Sequence, residues 1–341
     1  MNKLRIVQVG CGSISNAWFS ALKDLPDVEV VGLVDLNQAA ADQCAATHAL
    51  AAAVTGTDLE AMLGRTRPDI VFDCTIPAAH VQVTTTALRH GCHVLGEKPL
   101  SDTMPNARLM LAEARKAGRI YAVMQNRRYM ANIQALRNFL ATGTIGRIHT
   151  VHCDFILGAH FGGFRDVMEH VLLMDMAIHT FDQARYLTGA DPLTALAHEW
   201  NPPGSWFKHG ASAMAIFEMS HDLVYSYRGS WCAEGLDTSW EAAWRVIGDK
   251  GTATWDGAAT FRAQEVTGTD GFIRSKTDRD VPYNPDALRR SGHAGCIDEF
   301  LDAVRTGNTP QTICTDNIKS LSMVYAAVES ATVGKKVKCE V

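Results

Sequence analysis

LRIVQVGCGSIS, residues 4–15, decides the fold class of this chain. An apolar run of strand length ends at Gly10-Cys11-Gly12, and a helix-like stretch follows to about Leu25. A strand that passes through a glycine turn into a helix presents backbone N–H groups to which a phosphate can bind. The third glycine of the usual pattern is replaced by Ser13-Ile14-Ser15, so this stretch needs support from the rest of the chain.

Alternating strand and helix patterns extend this architecture to about residue 125. Further apolar runs of strand length occupy residues 28–35, 69–77, 93–99 and 119–126. The helix predicted over residues 103–118 has Asp102 or Thr103 as its N-cap, Pro105 in its first turn and Gly118 as its stop. Continuous apolar strands that alternate with helices indicate a parallel, doubly wound sheet covered on both faces. We therefore predict an α/β Rossmann domain over residues 1–125.

Asp35 ends the second predicted strand, at the spacing expected of an acid that binds the ribose of a dinucleotide. Its carboxylate would accept hydrogen bonds from both ribose hydroxyls and would repel a 2′-phosphate, which favours NAD over NADP. The other interpretation of Asp35 is an ordinary turn residue. The candidate cofactor-binding residues are Gly10, Cys11, Gly12, Ser13, Ile14, Asp35, Leu36, Thr75, Ile76, Pro77, His80, Glu97, Lys98 and Asn126.

The pattern changes beyond Asn126. A helix closed by Gly143 is followed by a long strand at residues 147–157, and two strand pairs turn at residues 220–222 and 248–251. We predict an α+β domain over residues 126–341, with a large open-faced, mostly antiparallel sheet and helices on one face. The exposed face of such a sheet predicts a homodimer or homotetramer.

Two further motifs carry residues suited to acid–base chemistry. Lys98 follows the fourth strand in GEKP, at the sheet edge where ligands bind, although a strand-end lysine can equally point to water. A cis Lys98–Pro99 bond is compatible with this turn. In LLMDMAIHTFD, residues 172–182, helical spacing puts Asp175, His179 and Asp182 on one face, opposite an apolar face. The polar face is either an ordinary solvated surface or an acid–base pair in a cleft.

The ordered motifs resemble the Gfo/Idh/MocA family, which includes glucose-fructose oxidoreductase and inositol dehydrogenase. They span nearly the whole chain: GCG at 10–12, Asp35, CTIPAAH at 74–80, GEKPL at 96–100, QNRRY at 125–129, DMAIHTFD at 175–182, WRVIGDKGTATWDG at 244–257 and DEFLDAVRTG at 298–307. The resemblance implies a Rossmann domain, an open-faced sheet domain, and NAD(P)-dependent oxidation or reduction of sugars, polyols and related compounds. It assigns the family's catalytic lysine, aspartate and histidine to Lys98, Asp175 and His179.

The chain departs from the family where a substrate should bind. MEHVLLMD at residues 168–175 replaces a stretch that is often rich in glycine, and Ala177 stands where glycine is common. These differences concern the substrate more than the reaction. The candidate substrate-binding residues are Lys98, Arg127, His160, Phe161, Arg165, Glu169, His170, Asp175 and His179. Arg128 and Tyr129, next to Arg127 at the domain junction, are further candidates, and Trp206, His209 and Trp240 are weaker ones.

The predicted reaction is reversible hydride transfer between nicotinamide and a secondary alcohol of a sugar, inositol-like polyol or sugar acid. His179 is the predicted base, since an ordinary imidazole has a pKa of about 6.5. Lys98 would stabilise the developing alkoxide, and Asp175 would orient His179 or hold a neighbouring hydroxyl. Three alternatives stay open: an NAD-dependent glycosidase that oxidises its substrate transiently, a non-catalytic dinucleotide or sugar sensor, and an NADP-dependent reductase of an imine or dienediol.

Composition excludes several other classes. The 341 residues carry a net charge of −5, which argues against a nucleic-acid partner or a polybasic membrane anchor. The nine cysteines include no C-x-x-C pair, and no apolar stretch is long enough for a transmembrane helix, so we expect a cytoplasmic protein. Strand alternation puts His149 and His152 on opposite faces, so we expect no metal site.

Overall fold

The computed structural model describes residues 3–23 and 25–341. Its backbone forms two compact units, the first comprising Met1–Asn126 with Arg290–Ile318 and the second Arg127–Arg289 with Lys319–Val341. The division at residue 126 lies next to the predicted one, but the sequence-based prediction left Arg290–Ile318 in the second domain.

The first unit is built on a parallel sheet with the strand order β3-β2-β1-β4-β5-β6. This is the order of dinucleotide-binding folds, in which the crevice forms where the order reverses, between β1 and β4. The strands are β1 (Leu4–Val9), β2 (Val28–Val34), β3 (Val54–Gly56), β4 (Ile70–Asp73), β5 (His93–Gly96) and β6 (Tyr121–Val123), and the helices between them are α1 (Ser15–Leu22), α2 (Gln38–Thr47), α3 (Leu59–Thr66), α4 (Pro77–Arg89) and α5 (Met104–Ala117).

Local sequence signals set the ends of these helices. The side chain of Thr103 caps α5 by accepting a hydrogen bond from the Asn106 N–H, and Gly118 ends the helix in the left-handed conformation with φ 62°. The later helix α8 (His293–Thr306) packs against α1, which explains why Arg290–Ile318 returns to the first unit.

The second unit contains a large sheet with the strand order β14-β13-β12-β11-β7-β10-β9-β8-β15. Neighbouring strands are antiparallel except for the parallel pair β7 and β10. The strands are β7 (Ile148–Ile156), β8 (Pro192–Trp200), β9 (Ser212–Met219), β10 (Leu223–Ser230), β11 (Ala243–Gly248), β12 (Gly251–Trp255), β13 (Phe261–Val266), β14 (Lys276–Arg279) and β15 (Val337–Lys338).

Helices cover one face of this sheet: α6 (Ala131–Ala141), α7 (Ile178–Thr188) and the end of α9 (Cys314–Val333). Phe181 of α7 anchors the helix layer, because its ring lies 4.8 Å from Phe217 and 5.2 Å from Tyr227 between centroids. The opposite face of the sheet leaves Leu196, Met214 and Ile216 exposed. Helices with the length and apolar character needed to cross a bilayer are absent from residues 3–23 and 25–341.

Candidate active site

The glycine turn after β1 has two glycines with different roles. Gly10 has φ 86°, and a Cβ at this position would lie 2.5 Å from the carbonyl oxygen of Cys74, so the fold itself requires glycine. A Cβ at Gly12 would have no heavy atom within 4 Å, and the residue is exposed. Gly10 therefore lets β1 and β4 pack closely, while Gly12 leaves open space beside the backbone at the start of α1.

Asp35 connects the turn after β1 with the turn after β2. One carboxylate oxygen accepts a hydrogen bond from the Cys11 N–H at 2.9 Å, and the other accepts from the Asn37 N–H at 2.9 Å. Leu36 beside it is exposed, as are Ser13 and Ile14. The carboxylate is thus fixed at the end of β2, where the ribose-binding acid of this fold lies.

These features fit a dinucleotide. No side chain caps the N-terminus of α1, whose positive dipole end follows the open Gly12 backbone and so suits a pyrophosphate. Asp35 provides the acidic group for the ribose, and Ile76 exposes an apolar side chain at the start of α4. The first unit therefore has an open backbone segment, a carboxylate and an exposed apolar side chain at one edge of its sheet.

A buried carboxylate organises the end of β4. Asp73 is fully buried and accepts hydrogen bonds from the hydroxyls of Thr75 at 2.6 Å and Thr84 at 3.1 Å, while Nδ1 of His80 lies 3.1 Å away. His80 is also buried, so the structure gives it a role in holding α4 to the strand end. Contact of Thr75, Pro77 or His80 with the cofactor stays a prediction.

Replacement of His80 by glutamine is expected to lower the free energy of unfolding by about 1.5–3 kcal/mol at pH 6 and by less at pH 9. Burial disfavours the charged imidazole, but the Asp73 carboxylate outweighs burial and raises the pKa of His80 above its ordinary value of 6.5. The charged pair therefore contributes fully below pH 6.5, and its contribution falls as the pH rises through the raised pKa. Urea titrations of both proteins at both pH values measure the change, and an equal loss at both would contradict it.

Glu97 and Lys98 follow β5 and differ in exposure. Glu97 is buried and accepts hydrogen bonds from the Trp18 indole at 2.7 Å and from the Lys98 N–H at 3.1 Å. Lys98 is only partly buried, and its bond to Pro99 is cis. Glu97 thus shapes the turn that presents Lys98. Asn126 contacts His293 of α8, with 3.3 Å between its amide nitrogen and Nδ1 of the imidazole.

The helix of the second unit begins with an irregular segment. Leu172–Ala177 forms a π-helix that continues into α7, whereas the sequence predicts one regular helix. π-Helical turns inside α-helices occur frequently at functional sites. Asp175 lies in the π-helix and His179 in the first turn of α7, so the irregular segment carries one candidate catalytic residue and immediately precedes the other.

Asp175 and His179 are held differently. Asp175 accepts a 2.7 Å hydrogen bond from Nε of Arg165, which brings two predicted site residues together. His179 is only 8% exposed and lies among the buried residues of α7. Asp182, the third polar residue of this stretch, is buried and pairs with Arg128 at 2.6 Å, as an internal structural group.

The remaining candidates of the second unit form separate pairs. His160 lies 3.0 Å from Glu234 and stacks on Trp206, with 3.6 Å between ring centroids. His170 lies against Glu199, whose hydrogen bond raises the pKa of this imidazole. Glu169 is exposed, and His209 is partly buried. None of these contacts tests the prediction that these residues bind substrate.

Arg127 is buried and belongs to a polar network that the sequence did not indicate. Its guanidinium donates to the Trp240 carbonyl and lies 3.6 Å from Glu241, which also accepts a 3.0 Å hydrogen bond from Gln183 of α7. Burial raises the pKa of Glu241, with Arg127 and Gln183 acting in the opposite direction. No spacing rule links Glu241 to a helix some sixty residues earlier, so only the fold reveals this network.

The described residues contain no cluster of three or more histidine, cysteine, aspartate or glutamate side chains suited to a metal. His149 lies beside the Thr150 hydroxyl at 2.9 Å, and His152 lies beside the Ser226 hydroxyl at 2.6 Å. The cysteines are free thiols.

Both units match family models. Residues 4–125 match the oxidoreductase family with an NAD-binding Rossmann fold, and residues 133–254 match the GFO/IDH/MocA C-terminal domain. The chain is 24% identical over 343 residues to the 1,5-anhydro-D-fructose reductase of Ensifer adhaerens, covering 97% of each protein. It is 25% identical over 364 residues to the myo-inositol 2-dehydrogenase of Thermotoga maritima, covering 99% of each.

A solved structure shares the whole fold. The oxidoreductase from Agrobacterium radiobacter, in complex with NAD+, L-tartaric acid and magnesium, superposes with a TM-score of 0.87 at 21% identity, covering 99% of each chain. The two family models together cover most of the chain. This chain therefore belongs to the Gfo/Idh/MocA family of NAD-binding oxidoreductases.

Proposed function

We propose that the protein is an NAD-dependent dehydrogenase that interconverts a secondary alcohol and a ketone on a sugar, inositol-like polyol or sugar acid. The observation that carries the proposal is the π-helix to α7 junction, where a carboxylate held by Arg165 precedes the buried His179 by one turn. An imidazole one turn after a carboxylate that is itself held by an arginine is suited to proton transfer. The relatives' names, a sugar-derivative reductase and an inositol dehydrogenase, support the substrate class.

In this proposal the chain's residues handle the proton and the charge. His179 accepts the proton of the reacting hydroxyl in the oxidation and returns it in the reduction. Lys98 donates a hydrogen bond to the same oxygen and stabilises its negative charge as it develops. Asp175, itself held by Arg165, binds a neighbouring hydroxyl or orients His179. NAD, when bound, supplies the redox chemistry.

The same proposal gives the outer face of the second sheet a role in assembly. Leu196, Met214 and Ile216 are exposed on adjacent strands, with Leu196 directly opposite Ile216 in the β8–β9 pairing. Exposed apolar side chains that cluster on a sheet favour contact with a second copy. Light scattering is expected to give twice or four times the mass of the chain, and a monomer would contradict this part of the proposal.

Replacement of Asp35 by serine is expected to weaken NAD binding by about 10- to 150-fold and to improve binding of NADP. A hydrogen bond to a charged group contributes about 1.5–3 kcal/mol, which corresponds to this range of affinity. The substitution also removes the charge that repels a 2′-phosphate. Titration of both cofactors against the variant measures the change, with Asp35→Asn as the control that keeps an acceptor for Cys11 but loses the charge. Unchanged selectivity in Asp35→Ser would contradict the assignment.

A substrate panel tests the function itself. Sugars, inositols and sugar acids would each be supplied with NAD and with NADP. The absorbance of reduced nicotinamide would be used to monitor its formation. Growth of that absorbance with at least one CH–OH substrate is expected. Release of a sugar product without net NADH would instead identify a glycosidase, and binding without any turnover would identify a sensor.

A further inference from the structure

Three exposed aromatic side chains meet beside Asp175 in the second unit. Phe161, Phe164 and Trp240, which we call the aromatic platform, are 55%, 63% and 42% exposed. The ring centroids of Phe161 and Trp240 are 5.9 Å apart, and the guanidinium carbon of Arg165 lies 5.2 Å from the Phe161 centroid and 4.6 Å from the Phe164 centroid. Exposed aromatic surface gathered at one place typically marks a binding site.

Buried groups hold the platform in position. The Trp240 ring lies 6.5 Å from that of Phe155, and the Phe161 ring lies 5.8 Å from that of Trp231, both partners being almost completely buried. The Trp240 carbonyl accepts a hydrogen bond from the buried Arg127. Two platform rings are therefore fixed by the core while part of their surface remains open to a ligand.

The position of the platform connects it to the proposed chemistry. Arg165 contacts both phenylalanine rings and donates a 2.7 Å hydrogen bond to Asp175, so the rings flank a proposed catalytic carboxylate. Because that carboxylate neutralises Arg165, the platform does not present a free positive charge that would select an anion. Its chemistry suits an uncharged ring with an apolar face.

The position of the rings points to a ligand with more than one ring. The planes of Phe161 and Trp240 are inclined by 60°, so a flat ring that stacks on one of them meets the other at an angle. The ring that is oxidised must itself lie at Asp175 and His179, so a ring on the platform is a second ring, joined to the first through a rotatable bond. A glycosidic linkage provides such a bond.

We propose that the aromatic platform binds the uncharged ring attached to the sugar that is oxidised, so that the preferred substrate is a glycoside and not a free monosaccharide or inositol. The attached ring is either an aromatic aglycone or a second pyranose, since both present an apolar face. This inference rests on the proposed function for the position of the oxidised ring.

The test compares matched ligands on the enzyme saturated with NAD+. Methyl glycosides, phenyl glycosides and disaccharides of glucose, galactose, mannose and xylose would be compared by kcat/KM and, independently, by calorimetric Kd. The wild-type protein is expected to favour a phenyl glycoside or disaccharide over the methyl glycoside of the same sugar by about tenfold or more. A gain with phenyl alone identifies an aromatic aglycone, and a gain with the disaccharide identifies a second pyranose.

Trp240→Ala and Phe161→Ala are each expected to reduce that preference, the ratio of kcat/KM for the phenyl glycoside or disaccharide to that for the methyl glycoside of the same sugar, by about tenfold. Phe272→Ala removes an equally bulky, fully exposed ring from the loop between β13 and β14 and should change nothing. Lack of preference in the wild type, or a preference retained in both variants, overturns the inference. A variant that changes only the oligomeric state assigns the platform to a subunit contact and also overturns it.

The calorimetric readout separates this inference from the proposed function. If no ligand is oxidised but phenyl glycosides still bind more tightly through Trp240, the dehydrogenase proposal fails and the platform stands. If methyl and phenyl glycosides are oxidised and bound equally in every variant, the dehydrogenase proposal stands and the platform fails.

Discussion

Replacement of His179 by alanine is expected to lower kcat by about 10²- to 10⁴-fold while the affinity for NAD stays within twofold of the wild type, roughly the loss that follows removal of a general base. In the proposed reaction the hydroxyl proton must leave as the carbonyl forms, and His179 accepts it. The affinity for NAD should persist because the Gly12 and Asp35 site is built entirely by the first unit.

Burial of His179 requires a second variant and a control. His179 is only 8% exposed, so its truncation to alanine also creates a cavity. His179→Gln keeps much of the side-chain volume but cannot act as an ordinary base. This variant should therefore lose as much activity as His179→Ala, with less loss of stability. His152→Ala removes an exposed imidazole from the sheet and should retain full turnover. The dependence of the rate on pH is a further test, because a purely structural role for His179 would leave its shape unchanged. Both His179 variants should lose the limb of the pH–rate profile that arises from protonation of this base. Near-normal turnover in either variant would remove the assignment.

The sequence predicted the first unit in most of its elements because its signals are local. The strand before Gly10, the N-cap at Asp102 or Thr103 and the Gly118 stop each act within a few residues. The structure has the strand and the stop where they were predicted, and it selects Thr103 as the cap. The short strand β3 was not predicted, since Val54–Gly56 is too brief to show a pattern. Strands β8 and β13 to β15 were also not predicted.

Features that depend on tertiary contacts could not be predicted from the sequence. The π-helix at Leu172–Ala177 has no periodicity that separates it from an α-helix. The return of Arg290–Ile318 to the first unit depends on the packing of α8 against α1. In the candidate site, spacing alone placed Asp175, His179 and Asp182 on one face, but it could not distinguish a carboxylate beside Arg165 from one buried against Arg128.

Replacement of Asp182 by alanine is expected to lower the free energy of unfolding by about 3–5 kcal/mol, the usual cost of removing one partner from a buried ion pair. Asp182 is 2% exposed and accepts hydrogen bonds from Nε of Arg128 at 2.7 Å, Nη2 of Arg128 at 2.6 Å and the Ser320 hydroxyl at 2.7 Å. Without this carboxylate the buried guanidinium loses a two-pronged counter-ion that water cannot easily replace. Urea titration of the variant measures the loss.

The chain supplies a matched control for this pair. Arg228 and Asp154 form the same two-pronged geometry, at 2.6 Å and 2.5 Å, but on the outer face of the sheet with the Arg228 side chain 63% exposed. Asp154→Ala should therefore cost at most about 1 kcal/mol, since exposed pairs gain little over hydration. The double variant Arg128→Met/Asp182→Leu removes both charges and should recover much of the stability lost by Asp182→Ala.

These three measurements separate the effect of burial from the effect of geometry. Equal losses for Asp182→Ala and Asp154→Ala would mean that the number of hydrogen bonds, and not their burial, determines the cost. If Asp182→Ala loses little stability but its turnover falls as far as that of His179→Ala, Asp182 has a catalytic role and not a structural one. The predicted outcome is a large loss of stability in Asp182→Ala and its recovery in the double variant. It would show that two polar residues within one turn of α7 have different roles, His179 in catalysis and Asp182 in the stability of the fold.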